Sequence, residues 1–467
     1  MEAVQNLALS RTGPRNDHSP LWPEVATLAV VFLLYSNAPA VAVKFHGVPF
    51  IVGAMVVLPL VIPFIYYVVL RRQPLIVAPA LPFILLFLMV ATASSMLSRD
   101  PGVSQSTVVE ECQGVALCLL ISNVVRSAAT LRRVIWMLLL AGSLLGSISL
   151  HQQLTKSYTK NYGGFGQVLN DGFKVDTAHG VVSQPRLSGP MGEKNRYAQI
   201  MIMLVPLGFM LYLGERALWA RALAILATTL TTLGFAMAFS RGAAVGFALA
   251  LGLATLMGYI KPRQLVIACL AAGLLLVAFP QYRARLGSLK TLASAMSETQ
   301  DSDEQLDGAI KGRFTEMLAA ARVFADYPLT GVGPGMFRYY AQEYGNEGGL
   351  RLLETEREAH SLYLGIAADM GAPGILCFLG MVWVTLRSLA RVRKRCLTTD
   401  PRLANLATGF ILSIVTFLAA GLNSHFSYTR YYWLVLGLAT ATACLPAVST
   451  VGEHAVQRKP PAKAGEM

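Results

Sequence analysis

Arginines in three polar segments are the first candidates for chemistry in this sequence. Arg186 occurs in QPRLSGPMGEKNRY and Arg241 in FSRGAAVGF, each next to an apolar run, and Arg313 in IKGRFTEM opens an amphipathic segment. A guanidinium presents a planar fork of donors that matches phosphate oxygens. The three residues therefore predict a clamp for a phosphorylated group. The alternative is that Arg241 snorkels to a membrane surface and that the other two are solvated.

His360 is the candidate proton acceptor. It closes a long polar segment in REAHSLYLGIAADMGAPG, and His425 in GLNSHFSYTR is a weaker candidate of the same kind. An imidazole titrates near neutral pH, so it can act as a general base or be an interfacial or capping residue. Two sets of carboxylates lie inside apolar runs, Glu110 with Glu111 and then Asp369. Function and pairing with an arginine explain them equally well.

The sequence predicts neither a metal site nor a cofactor. No two histidines are spaced as in HxxxH or HExxH, and five of the six cysteines fall inside apolar runs without a disulfide or metal pattern. Three guanidiniums carry enough positive charge to neutralise a pyrophosphate without a divalent ion.

The segments around these residues are those of a multi-pass membrane protein. Of 467 residues, 54% are hydrophobic and only 14% are charged. A spanning helix needs about 20 apolar residues, because the bilayer core offers no hydrogen bonds to the backbone. The net charge of +13 comes from Lys and Arg in short loops between apolar runs. The positive charge therefore indicates how the chain is oriented in the membrane, and no nucleic-acid partner is expected.

The apolar runs predict an all-α fold with about 12 transmembrane helices. They lie near residues 23–42, 47–70, 76–97, 107–125, 131–151, 194–213, 219–239, 242–260, 263–280, 361–386, 404–423 and 430–448. Basic residues concentrate after the even-numbered spans and in the C-terminal tail, which predicts that both termini are cytoplasmic. The inserts at 152–193 and 281–360 then face the opposite, periplasm-like compartment.

The predicted organisation has five parts. They are a cytoplasmic tail (1–22), nine spans with the shorter periplasmic insert (23–280), a large helical periplasmic loop (281–360), three spans (361–448) and a basic cytoplasmic tail (449–467). In the large loop, apolar residues from Ile310 to Phe324 recur at helical spacing, the Pro/Gly turn DYPLTGVGPG follows, and a second helix is expected near 349–359. The acidic stretch 297–307 is expected to be a mobile lid.

From about Arg186 to Asn423 the chain resembles the O-antigen ligase/polymerase superfamily of bacterial inner membranes. The similar elements are Arg186 with Gly189 and Asn195, the step Ser240-Arg241-Gly242, the opening Gly312-Arg313, the turn from Asp326 to Gly335, and His360-Ser361-Leu362-Tyr363-Leu364. The turn is the most specific of these. The family more often has asparagine after the histidine, so Ser361 departs from its pattern.

The resemblance implies a glycosyltransferase with substrates anchored in one leaflet. The donor would be O-antigen polysaccharide on undecaprenyl pyrophosphate, and the acceptor a sugar of lipid A–core. Length and loop placement are most similar to an O-antigen ligase of lipopolysaccharide biosynthesis. His360 would remove the proton of the acceptor hydroxyl while Arg241 and Arg313 stabilise the departing pyrophosphate. The expected substrate-binding residues are Arg186, Asn195, Ser240, Tyr363 and His425.

Direct displacement predicts inversion at the anomeric carbon without a metal. Three alternatives stay open: a polymerase that uses a second lipid-linked glycan as acceptor, a lipid-glycan transporter, and a non-catalytic glycan-binding scaffold. The absence of a sequence repeat argues against a rocking transporter.

Overall fold

The computed structural model describes residues 21–177, 180–278, 308–347, 352–353, 355–425 and 429–457, and most of them are helical. The elements of the first half are α1 Trp22–Tyr35, α2 Ala38–His46, α3 Phe50–Leu70, α4 Leu81–Met96, α5 Pro101–Val124, α6 Ala128–Thr155, β1 Gln167–Thr177, β2 Gly180–Gly189 and α7 Lys194–Gly214. Those of the second half are α8 Leu218–Ala236, α9 Arg241–Leu256, α10 Pro262–Ala278, α11 Gly308–Asp326, α12 Phe337–Asn346, α13 Leu362–Thr399, α14 Pro401–Ala420 and α15 Thr429–Gln457.

Every predicted span overlaps a helix, but the count of 12 is not confirmed. Among the described residues, seven helical segments are long and apolar enough to cross a bilayer alone. An eighth arises if α1 and α2 form one span bent by 57°, at a break where Asn37 has a left-handed backbone. Helices α4 and α9 have 16 residues each. At about 1.5 Å per residue they are shorter than a hydrocarbon core of about 30 Å.

Small residues let the helices of the bundle approach closely. A Cβ added at Gly146 of α6 would lie 2.0 Å from the Leu230 carbonyl oxygen of α8. Gly114 of α5 makes room for Trp433 of α15, whose indole Nε1 donates a 2.8 Å hydrogen bond to Glu111. Helix interfaces in membranes favour small residues and shared polar contacts. Glu111 is thus paired inside the bundle with a tryptophan rather than an arginine.

Polar contacts between loops show which loops lie at the same end of the bundle. At one end, ion pairs join the start of α6 to its neighbours, Arg132 with Glu215 at 2.5 Å and Arg133 with Glu24. At the other end, the Asn37 side chain donates to the Pro190 carbonyl oxygen at 2.9 Å, which joins the α1–α2 break to the start of α7. Loops therefore lie at the two ends of the bundle in the order that the predicted spans require. Which end faces the cytoplasm stays a prediction.

The first insert corrects the expectation of an all-α fold. Strands β1 and β2 form an antiparallel hairpin in which Val175 pairs with Val182 and Leu169 with Arg186. The signal was the alternation in Phe-Lys-Val-Asp-Thr from Phe173, which suits a strand with two different faces. This alternation is short, and the prediction of an all-α fold was based on the long apolar runs.

The second insert contains the expected helix, but the buried face differs from the expected one. Helix α11 covers the predicted segment, yet Phe314 is 50% exposed, whereas Thr315, Glu316, Ala319, Ala320 and Val323 are buried. The second helix lies at Phe337–Asn346, and residues 355–360 are not helical, so its placement near 349–359 was wrong. The predicted lid at 297–307 lies outside the described residues.

The turn DYPLTGVGPG fastens this insert to α13. The Asp369 carboxylate accepts hydrogen bonds from the Gly335 and Phe337 amides, both at 2.9 Å, and its carbonyl oxygen accepts one from the Gly333 amide at 2.8 Å. Gly371, with φ 66°, interrupts α13 where the turn packs. A Cβ at Gly331 would lie 2.3 Å from the Asp369 backbone. Asp369 therefore binds backbone amides, which fixes the segment that leads to His360.

Candidate active site

His360 lies between the large insert and α13 in a strained backbone conformation. Its φ of 45° falls in the left-handed region, which a residue with a side chain seldom adopts. The next residue, Ser361, is the N-cap of α13, and its Oγ accepts from the Leu364 amide at 3.5 Å. Serine and asparagine are both good N-caps, so the departure at Ser361 keeps the capping function. The cap fixes the start of α13 directly after His360.

The surroundings of His360 keep its imidazole neutral. Its pKa is lowered to about 4, mainly by burial and next by the charge of Arg313. Arg357 and Arg196 lower the pKa less, and Glu193 opposes them. The His425 ring lies 5.8 Å away, edge to face, and burial also lowers its pKa well below the usual value. A neutral imidazole has a free lone pair at physiological pH. His360 is thus in the protonation state that a general base requires.

Glu316 is the site residue that sequence reasoning missed. Its carboxylate is buried, with Oε2 3.4 Å from His360 Nε2 and Oε1 4.0 Å from Arg357 Nε. A carboxylate on this side favours the tautomer with hydrogen on Nε2, which leaves Nδ1 as the proton acceptor. The predicted apolar face of α11 did not include this position. The available signal was a carboxylate one turn from Arg313 on the same helix.

Cations from separate elements surround this pair. Arg313 on α11, Arg357 in the segment before α13 and Arg196 in the first turn of α7 all act on the His360 charge. Glu193, the N-cap of α7, accepts from the Arg196 amide at 2.7 Å. Arg196 was not among the predicted site residues, although it follows Asn195 directly. The structure thus adds two guanidiniums to the predicted set near the imidazole.

Arg186, Asn195 and Ser240 form one buried network. Arg186 Nε donates to the Ala238 carbonyl oxygen at 2.9 Å, and its Nη2 donates to the Phe239 carbonyl oxygen at 3.1 Å. Asn195 Oδ1 accepts from Ser240 Oγ at 3.1 Å and is 3.4 Å from Arg186 Nη2. These contacts tie the hairpin and α7 to the break before α9. Their geometry suits positioning, and phosphate binding by Arg186 stays a prediction.

The network also connects to the histidine through the start of α7. Asn195 Nδ2 donates to Glu193 Oε1 at 3.2 Å, and Glu193 is the acidic neighbour that opposes the lowered His360 pKa. Arg241 is partly exposed and begins α9 directly after Ser240. Tyr363 donates from its hydroxyl to the Leu418 carbonyl oxygen of α14 at 3.0 Å, which anchors the start of α13. All eight predicted site residues therefore lie at the same end of the bundle.

Metal ligands do not cluster in this region. In the ranges that the structure describes, no three His, Cys, Asp or Glu residues are grouped so as to hold a metal ion. The candidate centre consists of an imidazole with a buried carboxylate and a surrounding set of guanidiniums. Such an arrangement can accept a proton from a hydroxyl and stabilise an anion beside it.

The fold and this centre define a class, namely multi-pass membrane proteins with a charged, histidine-containing cluster at one end of the helix bundle. Residues 222–379 match the family model described as O-antigen ligase. This match supports the predicted resemblance to the O-antigen ligase/polymerase superfamily. The matched range contains Arg241, Arg313, Glu316 and His360 and stops before His425. No curated protein matches the chain.

Proposed function

We propose that the protein is an O-antigen ligase that transfers a glycan from a polyprenyl pyrophosphate to a lipid A–core sugar. The match to the O-antigen ligase family model supports lipid-linked glycan substrates in the membrane. The observation that carries the proposal is the neutral, partly buried His360 with a carboxylate 3.4 Å away and guanidiniums around it. This combination matches a reaction that removes a proton and releases a pyrophosphate.

The chemistry follows from the positions of these groups. His360 Nδ1 takes the proton of the acceptor hydroxyl as its oxygen attacks the anomeric carbon, and the bond to the pyrophosphate oxygen breaks. Arg313 and Arg241 stabilise the charge that develops on the leaving group. Both substrates are confined to one leaflet, so the protein mainly aligns hydroxyl and carbon at about 3–3.5 Å. Displacement on one face inverts the anomeric configuration.

The distribution of arginines supports an enzyme over a transporter. Arg186, Arg241 and Arg313 lie at one end of the bundle, whereas a translocation path would need polar groups through its length. Inside the bundle, Glu111 bonds to Trp433 and Asp369 binds backbone amides. These two carboxylates are therefore occupied by structural contacts.

Transfer by the purified protein tests the proposal. The full-length chain is incubated with lipid-linked glycan and rough lipopolysaccharide in excess chelator, and ligated product is measured. Wild type is expected to be active, and His360→Ala to lose roughly 10²–10⁴-fold in rate, the usual contribution of a general base. His454→Ala, at the far end of α15, is the matched control with unchanged rate. Full activity of His360→Ala would remove the base from the scheme.

The acceptor separates ligase from polymerase. With lipid A–core omitted, a ligase leaves the lipid-linked glycan unchanged, whereas a polymerase lengthens it. In cells, loss of a ligase accumulates long polymer on the lipid carrier, and loss of a polymerase leaves single repeats on the core. Lengthening without an added core acceptor would replace the ligase proposal with the polymerase.

A further inference from the structure

A polar cavity of about 470 Å³ lies beside the hairpin and outside the centre described above. Lys44 near the end of α2, the loop residues Tyr158, Lys160 and Asn161, and Gln167 of β1 contribute to its lining. Its volume falls in the range of about 300–1,000 Å³ that small-molecule sites occupy. No role has been assigned to any of these residues.

The walls of this cavity are held by buried contacts. Gln152 of α6 is fully buried, and its Nε2 donates to the Lys160 carbonyl oxygen at 2.9 Å and to the Gly166 carbonyl oxygen at 2.7 Å. Gly164, with φ 100°, packs so closely that an added Cβ would lie 2.3 Å from the Phe45 ring. These contacts join the loop to α6 and α2, so the cavity exists before any ligand binds.

The lining selects for an anionic sugar. Lys44 and Lys160 supply two ammonium groups, and none of the lining residues is acidic. The amides of Asn161 and Gln167 can donate to and accept from hydroxyls, and the Tyr158 ring offers a flat surface for sugar C–H groups. Phe45 and Val168 add apolar surface to the lining, which suits the C–H faces of a sugar beside the two ammonium groups. The matching ligand is a saccharide that carries a phosphate or a carboxylate.

The hairpin links the cavity to Arg186. Gln167 lines the cavity and pairs with Gly189 across the ladder, and Leu169 two residues later pairs with Arg186. Neighbouring strands are about 4.8 Å apart, so a glycan chain can reach from one side of the hairpin to the other. Through Asn195 and Glu193, Arg186 connects to the surroundings of His360.

We propose that this cavity is a subsite for a negatively charged sugar of one of the two glycans, and this inference rests on the proposed function. The charged sugar can belong to the acceptor core or to the donor polymer. In either case its binding orients the chain so that the reacting sugar lies at His360.

Binding to the purified full-length protein tests the cavity without requiring transfer. Calorimetry with trigalacturonate, a phosphorylated mannose trisaccharide and neutral maltotriose is the measurement. The anionic sugars are expected to bind, more weakly at higher salt, and Lys44→Gln/Lys160→Gln to bind them about tenfold or more weakly, because hydrogen bonds to charged groups are strong. Lys156→Asn, which caps α6 outside the cavity, is the control. Equal binding of maltotriose, unchanged binding by the double variant, or displacement of the sugars by phosphatidylglycerol nanodiscs would overturn the proposal.

Transfer kinetics identify which glycan carries the charge. With phosphorylated core lipid, the double variant is expected to raise the KM for the acceptor and leave kcat unchanged, and dephosphorylated core should remove the difference. If the KM for the donor rises instead, the charged sugar belongs to the donor polymer. Unchanged KM values for both substrates would contradict the subsite. Complete inactivity of the wild type would refute the ligase function, while calorimetry would still decide whether the cavity binds anionic sugars.

Discussion

His360 combines a strained backbone with a neutral side chain. The φ of 45° occurs directly before the N-cap at Ser361, which fixes the backbone on that side. Strain of this kind persists only where the surrounding structure over-determines it, and it concentrates at functional positions. Burial removes water from the imidazole, and the nearby arginines disfavour its protonated form. A base of low pKa is weak, but it is fully deprotonated at neutral pH.

The pH dependence of transfer should report this environment. Protonation disables the base, so kcat/KM is expected to rise as pH increases through about 4 and then to stay level through neutral pH. Arg313→Gln removes a charge that lowers the His360 pKa, so the acid limb should move to higher pH. Arg313→Lys keeps the charge and should leave the limb in place. An acid limb near the ordinary histidine value in wild type would contradict the assignment.

Glu316 should affect turnover more than substrate binding. Its carboxylate fixes the tautomer of His360, so Glu316→Gln is expected to lower kcat by about 10- to 100-fold, the range for groups that orient a histidine in metal sites. The KM values should change little. Glu343→Gln, on the exposed face of α12, is the matched control. Steady-state kinetics that show a changed KM with an unchanged kcat would assign Glu316 to substrate binding instead.

The turn between α11 and α12 joins a helical insert to a membrane helix. Its backbone amides bind Asp369, and Val332 donates from its amide to the Ala368 carbonyl oxygen at 3.0 Å. A small cluster of buried residues, including Val323, Val332 and Phe337, packs with Ala368 of α13. Through these contacts the insert holds Arg313 and Glu316 opposite His360. The turn is thus the element on which the geometry of the centre depends.

Gly331→Ala should destabilise this junction. The backbone at Gly331 is left-handed, with φ 64°, and an added Cβ would lie 2.3 Å from the Asp369 backbone. A loss of about 1–3 kcal/mol of stability is expected, together with reduced activity. Gly252→Ala, in α9 where nothing lies within 4 Å of the added Cβ, is the control and should be neutral or stabilising. Thermal unfolding in detergent is the measurement, and equal melting temperatures for the two variants would argue against the strain.

The sequence predicted where helices and turns lie better than it predicted which helix faces are buried and which residues are in contact. The apolar runs and the turn signal identified the helices and the DYPLTGVGPG junction, because long periodic segments dominate local structure. The buried face of α11 was predicted from its larger apolar residues, but the buried residues are Thr315, Glu316 and Ala319. Ala319 packs in a cluster with residues of the turn and of α13, and Glu316 faces His360. Only the three-dimensional contacts of the turn determine which face is buried.

At the scale of the whole molecule, chemistry and basic loops lie at opposite ends of the bundle. Ion pairs of Arg132 and Arg133 lie at one end, and the network from Arg186 to His360 lies at the other. If the positive-inside rule orients the chain, the centre faces the compartment where lipid-linked glycans are used. In that orientation, the proposed transfer would proceed without contact with cytoplasmic nucleotides.

Fusions of reporter proteins test this orientation. Green fluorescent protein after residue 467 should fluoresce, because it folds in the cytoplasm, and alkaline phosphatase inserted after Tyr158 should be active, because it requires the periplasm. Alkaline phosphatase inserted after Arg216, in a basic loop of the other end, is the control and should be inactive. The opposite pattern would place the centre in the cytoplasm and exclude the proposed substrates.

The tie between the turn and α13 has a consequence for biosynthesis. Asp369, His360 and His425 all emerge from the ribosome after the segment that carries Arg313 and Glu316, and long after Arg186 and Glu193. The insert cannot reach its final place until α13 has been made and has joined the earlier helices. A nascent chain therefore has no complete candidate centre until α13 and the segment that carries His425 have been made.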